Sequence, residues 1–163
     1  MTRDEVVAAR TAGWTVEGRA ALAAVVERLR PSAHHLGDIL DWLDDIAARQ
    51  GTAPEALLGD ADLCATAAGG GSAPERLKRW KERLRRLRYP RLAARESAVA
   101  AQVRAMECGP AVTVAPPPAL EGGVVTVTIR ARSETELCDA VETLRARVAH
   151  GDVARLFALL DEA

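Results

Sequence analysis

The sequence predicts a mainly α fold with a small two-stranded antiparallel β-hairpin, arranged as an N-terminal helical domain followed by an α-β-β-α unit. Three observations predict it. The composition is rich in Ala, Leu and charge, with 48% hydrophobic and only 3% aromatic residues, which favours helix and leaves aliphatic side chains to fill the core. Helix-start signatures recur along the chain. Beyond Val124, one stretch changes to strict alternation, the period of a strand. A chain of 163 residues can fold as one domain or two small ones without metal or disulfide staples.

The helix starts are capping boxes, in which a Ser or Thr hydroxyl accepts from an early helix amide and a Glu reaches back to the cap residue's own amide. Four sites fit: Thr2 with Glu5, Thr52 with Glu55, Ser72 with Glu75, and Ser133 with Glu136. Pro54 and Pro74 fall in first turns, where a missing N–H costs least. A helix is predicted over 15–30, ended by Pro31. The next runs from Ser32 to Gln50 and is closed by Gly51, with Leu36, Ile39, Leu40, Leu43 and Ile46 on one face and Trp42 beside them. A short helix at 53–58 precedes the flexible Gly69-Gly70-Gly71-Ser72. The domain boundary is placed there: an acidic helical domain over 1–68, a Gly/Ser linker over 69–74, and a second domain over 75–163.

The second domain opens with a helix over 73–88, broken at Tyr89-Pro90, and continues with one over 91–107 that stops at Gly109-Pro110. Ala111–Val114 is a short strand, Pro116–Pro118 a stiff connection, and Glu121-Gly122-Gly123 a turn. Val125, Val127, Ile129 and Ala131 then alternate with Thr126, Thr128, Arg130 and Arg132. Ser133 caps a helix striped by Leu137, Val141, Leu144 and Val148. A last helix from Asp152 is expected to bury Val153, Leu156, Phe157 and Leu160. A lone hairpin exposes a sheet edge and has little to pack on, so pairing of two copies across that edge is expected.

The net charge of −1 conceals an island. Residues 75–96 hold ten basic and three acidic side chains, between flanks with an acidic excess. Arg76, Lys78, Arg79, Lys81, Arg83, Arg85, Arg86 and Arg88 surround a seam of Leu77, Trp80, Leu84 and Leu87, with Glu82 the sole acid among them, and Arg91 and Arg95 extend the charge. Like charges at helical spacing repel, and an external anion would relieve that repulsion. Nucleic acid is the first expected partner, held through its phosphates by these cations, with Tyr89 placed to stack on a base or sugar. An acidic protein surface, met by a non-catalytic adaptor, is the second. A solvated face neutralised by the acidic helix around Asp38–Asp45 of the same chain is the structural alternative.

Other chemistry is sparse. No apolar run reaches membrane-spanning length, and Met1-Thr2-Arg3-Asp4-Glu5 lacks the basic and apolar regions of a signal peptide. Cys64, Cys108 and Cys138 form no close-spaced pair and are expected to be reduced, buried thiols of a cytoplasmic protein. His34, His35, Asp38 and Asp41 have helical ligand spacing but no distal partner, so solvated first-turn residues outweigh a metal site. Cys108 and His150 could form a nucleophile–base pair, though nothing local supports it. Neither a P-loop nor a nucleophile-elbow motif occurs. No catalytic residue and no cofactor is expected.

Residues 92–148 resemble the C-terminal dimerisation domain of ParB/Spo0J-type chromosome-partition proteins. The likeness lies in a helix leading to Val112-Thr113-Val114, a turn with Gly122-Gly123, the strand Val124–Ile129, and Ser133-Glu134-Thr135-Glu136-Leu137 opening a helix. It implies an α-β-β-α unit that dimerises by strand pairing and helix exchange. That family's CTP-binding box, central helix-turn-helix and domain lysines have no counterpart here.

Overall fold

The computed structural model describes residues 2–161. Among these residues, eight α-helices and two strands follow in the order α1 (Arg3–Arg10), α2 (Val16–Leu29), α3 (Ala33–Gln50), α4 (Ala61–Ala68), α5 (Ala73–Arg88), α6 (Pro90–Ala105), β1 (Val112–Ala115), β2 (Thr126–Ile129), α7 (Glu134–Ala149) and α8 (Asp152–Asp161). Short 3-10 turns at Pro54–Gly59 and Pro118–Leu120 interrupt the connections. The fold is thus mainly helical, and its strands form a single antiparallel pair among the described residues.

The chain divides into two compact units, one ending at Pro90 and the other starting at Arg91. This differs from the expected boundary at the Gly/Ser segment. The basic helix α5 lies in the first unit, because Leu77, Trp80 and Leu84 pack into the same core as Leu22, Leu36, Leu40 and Leu43. Each such side chain contributes about 2 kcal/mol by leaving water, which outweighs any tendency of the glycines to act as a boundary. Trp80 is fully buried, and its indole N–H donates to the Leu63 carbonyl at 3.1 Å. Leu63 belongs to α4, a helix missed in the sequence. Its one local signal was Asp60, whose carboxylate caps the Leu63 amide at 2.9 Å.

Helices α3 and α5 lie side by side and parallel. Asp38 meets Lys81, and Asp45 meets Arg88; the same offset of 43 recurs two turns further along both helices.

Two capping boxes form fully, at Thr2/Glu5 and Ser72/Glu75. At Ser133 the hydroxyl accepts from the Glu136 amide, while Glu136 turns to the Arg132 amide instead. The Thr52 box does not form. Ala53 occupies the cap position of the 3-10 turn, and Glu55 accepts from the Thr15 amide at 3.2 Å. Glu55 thereby ties the 3-10 turn to the start of α2.

In the second unit, Val99, Met106, Val112, Val114, Ala140, Leu156 and Leu160 form the core. α6 and α8 run antiparallel. Gln102 donates to the Asp152 carbonyl at 3.0 Å near one end, and Arg95 donates to the Leu159 and Leu160 carbonyls at 3.2 and 3.1 Å at the other. β1 pairs with β2 in the register Val112↔Ile129, Thr113↔Thr128, Val114↔Val127 and Ala115↔Thr126. β1 buries its valines, whereas β2 exposes most of its length.

The apolar stripe of α7 lies largely in water. Ala140 is its buried residue, while Leu137, Val141 and Val148 are exposed and Leu144 half-buried. Phe157, expected inside, is 40% exposed. The unit has too few elements to cover both faces of α7. The cysteines also differ from expectation. Cys64 and Cys138 are exposed and Cys108 is half-buried.

Among the glycines, Gly18 has the tightest surroundings. A Cβ built there would stand 2.5 Å from the Glu55 Cβ. In an open helix, Gly→Ala gains about 1 kcal/mol; here the clash is with a rigid stem. Gly18→Ala is expected to destabilise the chain by about 1–2 kcal/mol net, read as a lower thermal midpoint, and an unchanged or higher midpoint contradicts the packing described.

Candidate functional site

The basic helix opens on a full N-terminal capping box and runs for 16 residues, so its cations project at helical spacing. Most of them already have partners inside the first unit. Lys81 Nζ lies 2.9 Å from Asp38, Arg88 2.5 Å from Asp45, and Arg83 pairs with Asp62 of α4. Arg85 and Arg86 both bind Glu82, at 2.9 and 3.1 Å. Arg76 donates to the carbonyls of Arg28 and Gly71, and Arg79 to that of Gly70. The self-repulsion read from the sequence is therefore relieved within the fold, by carboxylates on α3 and α4 and by backbone oxygens.

Several of these contacts serve helix ends, where carbonyls lack partners and the helix dipole favours a cation. Arg76 covers the end of α2. Arg49 of α3 donates to Leu87 and Arg88, the last carbonyls of α5. Among the described residues, Lys78 and Arg91 make no ion pair, and both are exposed. Tyr89 is 45% exposed and carries the Arg88 guanidinium 5.1 Å from its ring centroid. Arg91 and Arg95 belong to the second unit, so the predicted row is divided between two units, and Arg95 caps α8.

Between the parallel helices α3 and α5 runs an open groove of about 620 Å³. Its apolar wall is Trp42, Pro74 and Leu77, and its rim is formed by His35, Lys78, Lys81, Glu82 and Arg85. The Lys81 ammonium sits 5.1 Å and the Arg88 guanidinium 5.7 Å from the Trp42 ring centroid, a distance at which the ring's negative face attracts a cation.

The other singled-out residues are not assembled into a site. His34 Nε2 is 3.9 Å from Asp38, but Asp38 is held by Lys81, and Asp41 and Asp44 both bind Arg10 at 2.7 Å. These two carboxylates hold the Arg10 guanidinium even more firmly protonated than usual. No group of three or more metal-ligating side chains gathers among the described residues. Cys108 neighbours Arg147 and Asp152, and burial pushes its thiol up, which keeps the weaker, protonated nucleophile. No hydrogen bond joins it to His150 among the described residues. Asp152 is buried between Arg155 at 2.5 Å and Arg147 at 3.7 Å and stabilises the start of α8.

These features define a two-unit, mainly helical protein with a cation-railed groove in one unit and an exposed apolar helix face in the other. Compared with family models, curated proteins and solved structures, the chain matches none. The ParB/Spo0J resemblance of residues 92–148 therefore rests on its α-β-β-α pattern.

The ion pairs set a pH dependence. The Lys81 hydrogen bond draws the Asp38 carboxyl below its usual range, and Arg85 and then Arg86 do the same to Glu82. A carboxyl with a lowered folded-state pKa stabilises the fold above its ordinary value, and that stability is lost as pH falls through the lowered one. The ordinary values are 4.5 for Glu82 and 3.8 for Asp38. Urea midpoints are expected to stay level from about pH 7 to 5 and to fall below about 4.5. Lys81→Met should flatten part of that decline; a decline that begins above pH 6 would assign it to other groups.

Proposed function

We propose that the protein is a non-catalytic adaptor, or subunit of a larger assembly, that works as a homodimer through its second unit. The observation that carries this reading is the uncovered face of α7. Leu137, Val141, Leu144 and Val148 are spaced four, three and four apart, the heptad rhythm of a helix seam. Leu137, Val141 and Val148 are 46%, 48% and 62% exposed. Apolar residues scattered singly on a surface need no partner, but a contiguous stripe marks one.

Charge favours a second copy over an unrelated helix. The N-terminal half of α7 carries Glu134, Glu136 and Asp139, and the C-terminal half carries Arg145 and Arg147 against the single acid Glu142. Two copies laid antiparallel place each acidic half along a basic one and set the helix dipoles in opposition. The open edge of the two-stranded sheet offers a further place for pairing.

Nucleic acid is the second reading, favoured by the exposed Lys78, Arg79, Arg86 and Arg91 and by the half-open Tyr89 ring. The engagement of Lys81, Arg83 and Arg88 by carboxylates speaks against it, since each pair must be broken before a phosphate is met. A salt-sensitive gel shift abolished by reversing Arg79, Arg83 and Arg86 to Glu would favour this reading over the adaptor.

For the dimer, Leu137→Glu combined with Val141→Glu replaces surface residues of the single chain and is expected to leave helix content intact. Light scattering should give twice the 17.4 kDa protomer mass for the wild type and a single protomer for the variant. A wild-type chain that is monomeric at high micromolar concentration rejects the proposal.

A further inference from the structure

We infer that the groove between α3 and α5 is a docking site for an acidic amphipathic helix of a partner protein. This deepens the adaptor reading, on which it rests, by naming the surface and the chemistry of the partner.

The shape comes first. His35 and Trp42 are two turns apart on α3, so that rail is about 10 Å long; Pro74 to Arg85 on α5 spans about 16 Å. The parallel offset of the two helices sets His35 opposite Lys78, and Trp42 opposite Arg85. The groove is thus an open trough two to three helical turns long, and its approximate volume of 620 Å³ is room for a few apolar side chains. A docked helix supplies such anchors at spacings of three and four. Its bottom is the Trp42 ring with Pro74 and Leu77, a rigid apolar wall of the kind that carries binding energy at an interface.

The charge comes second. Lys78, Lys81 and Arg85 recur at intervals of three and four along one edge, the period at which a helix presents its own side chains. The trough's rim holds these three cations and His35 against Glu82. Lys78 is exposed and makes no ion pair among the described residues, so a partner carboxylate meets it without displacing an existing contact. Lys81 spans Asp38 and the Trp42 ring, which fixes its ammonium at the trough's edge. An acidic helix with an apolar stripe matches both features. A phosphate backbone matches only the cations and leaves the apolar wall unused.

The test uses the full chain and a fluorescein-labelled helical peptide of about 15 residues, bearing leucines three and four apart with glutamates on either side. Fluorescence anisotropy at low salt is expected to show saturable binding that weakens about tenfold or more in Trp42→Ala and in Lys78→Glu. Lys78 is exposed, so its substitution leaves the fold intact where Trp42→Ala disturbs packing. A peptide with every glutamate replaced by lysine should not bind. The inference is overturned by absence of binding to the wild type, by binding that Lys78→Glu leaves unchanged, or by a duplex DNA probe that displaces the peptide and itself depends on Lys78. A chain that remains dimeric yet fails to hold the peptide sinks the groove alone and leaves the adaptor reading intact.

Discussion

Trp80 and the helix that carries it hold the first unit together. The indole is wholly buried, yet its N–H is satisfied by the Leu63 carbonyl, so a large apolar surface leaves water without stranding a donor. With that side fixed in the core, the remaining faces of α5 must carry its dense positive charge within reach of α3 and α4. Packing α3 and α5 parallel aligns their dipoles unfavourably. The cross-helix pairs Lys81–Asp38 and Arg88–Asp45 offset this, as does Arg49 on the last carbonyls of α5. These pairs are partly exposed, and each is worth about 1 kcal/mol or less; they set register more than stability.

Arginine does a second job throughout the chain. Arg76 at the end of α2, Arg49 at the end of α5 and Arg95 at the end of α8 each donate to terminal carbonyls of a helix other than their own. A forked, permanently charged group suits this use, because it reaches two oxygens and complements the negative end of the dipole. Basic residues that look like a binding surface in one dimension are thereby absorbed as connectors in three.

The second unit faces the opposite problem. Its hairpin has four residues per strand, and its core is small. A sheet this short cannot cover a 16-residue helix, so α7 keeps an apolar face in water. In the proposed reading that face is used to join copies, which leaves the first unit's groove as the part that meets a partner. The two surfaces differ in chemistry, one apolar and the other apolar with a cationic edge, so they do not compete for the same occupant.

By itself the sequence determined the local features. These were the helix starts at Thr2, Ser32, Ser72 and Ser133, the stops at Gly51 and Tyr89-Pro90, the apolar faces of α3 and α5, and the change of period that makes β2. Caps, breakers and periodicity act through residues a few positions apart, so they are legible in one dimension. Even the hairpin was readable from Gly122-Gly123 and the flanking valines. Tertiary structure decided what depends on distant partners. It assigned α5 to the first unit rather than the second, since Trp80 needed Leu63 and Leu22 more than its own neighbours. It recruited Glu55 away from a capping box to hold Thr15, paired the cations of α5 with Asp38, Asp45 and Asp62, and left Leu137, Val141 and Phe157 in water. The groove between α3 and α5 belongs to the same class. His35, Trp42, Lys78 and Arg85 are separated by up to fifty residues of chain, and only the parallel packing of two helices brings them to one face.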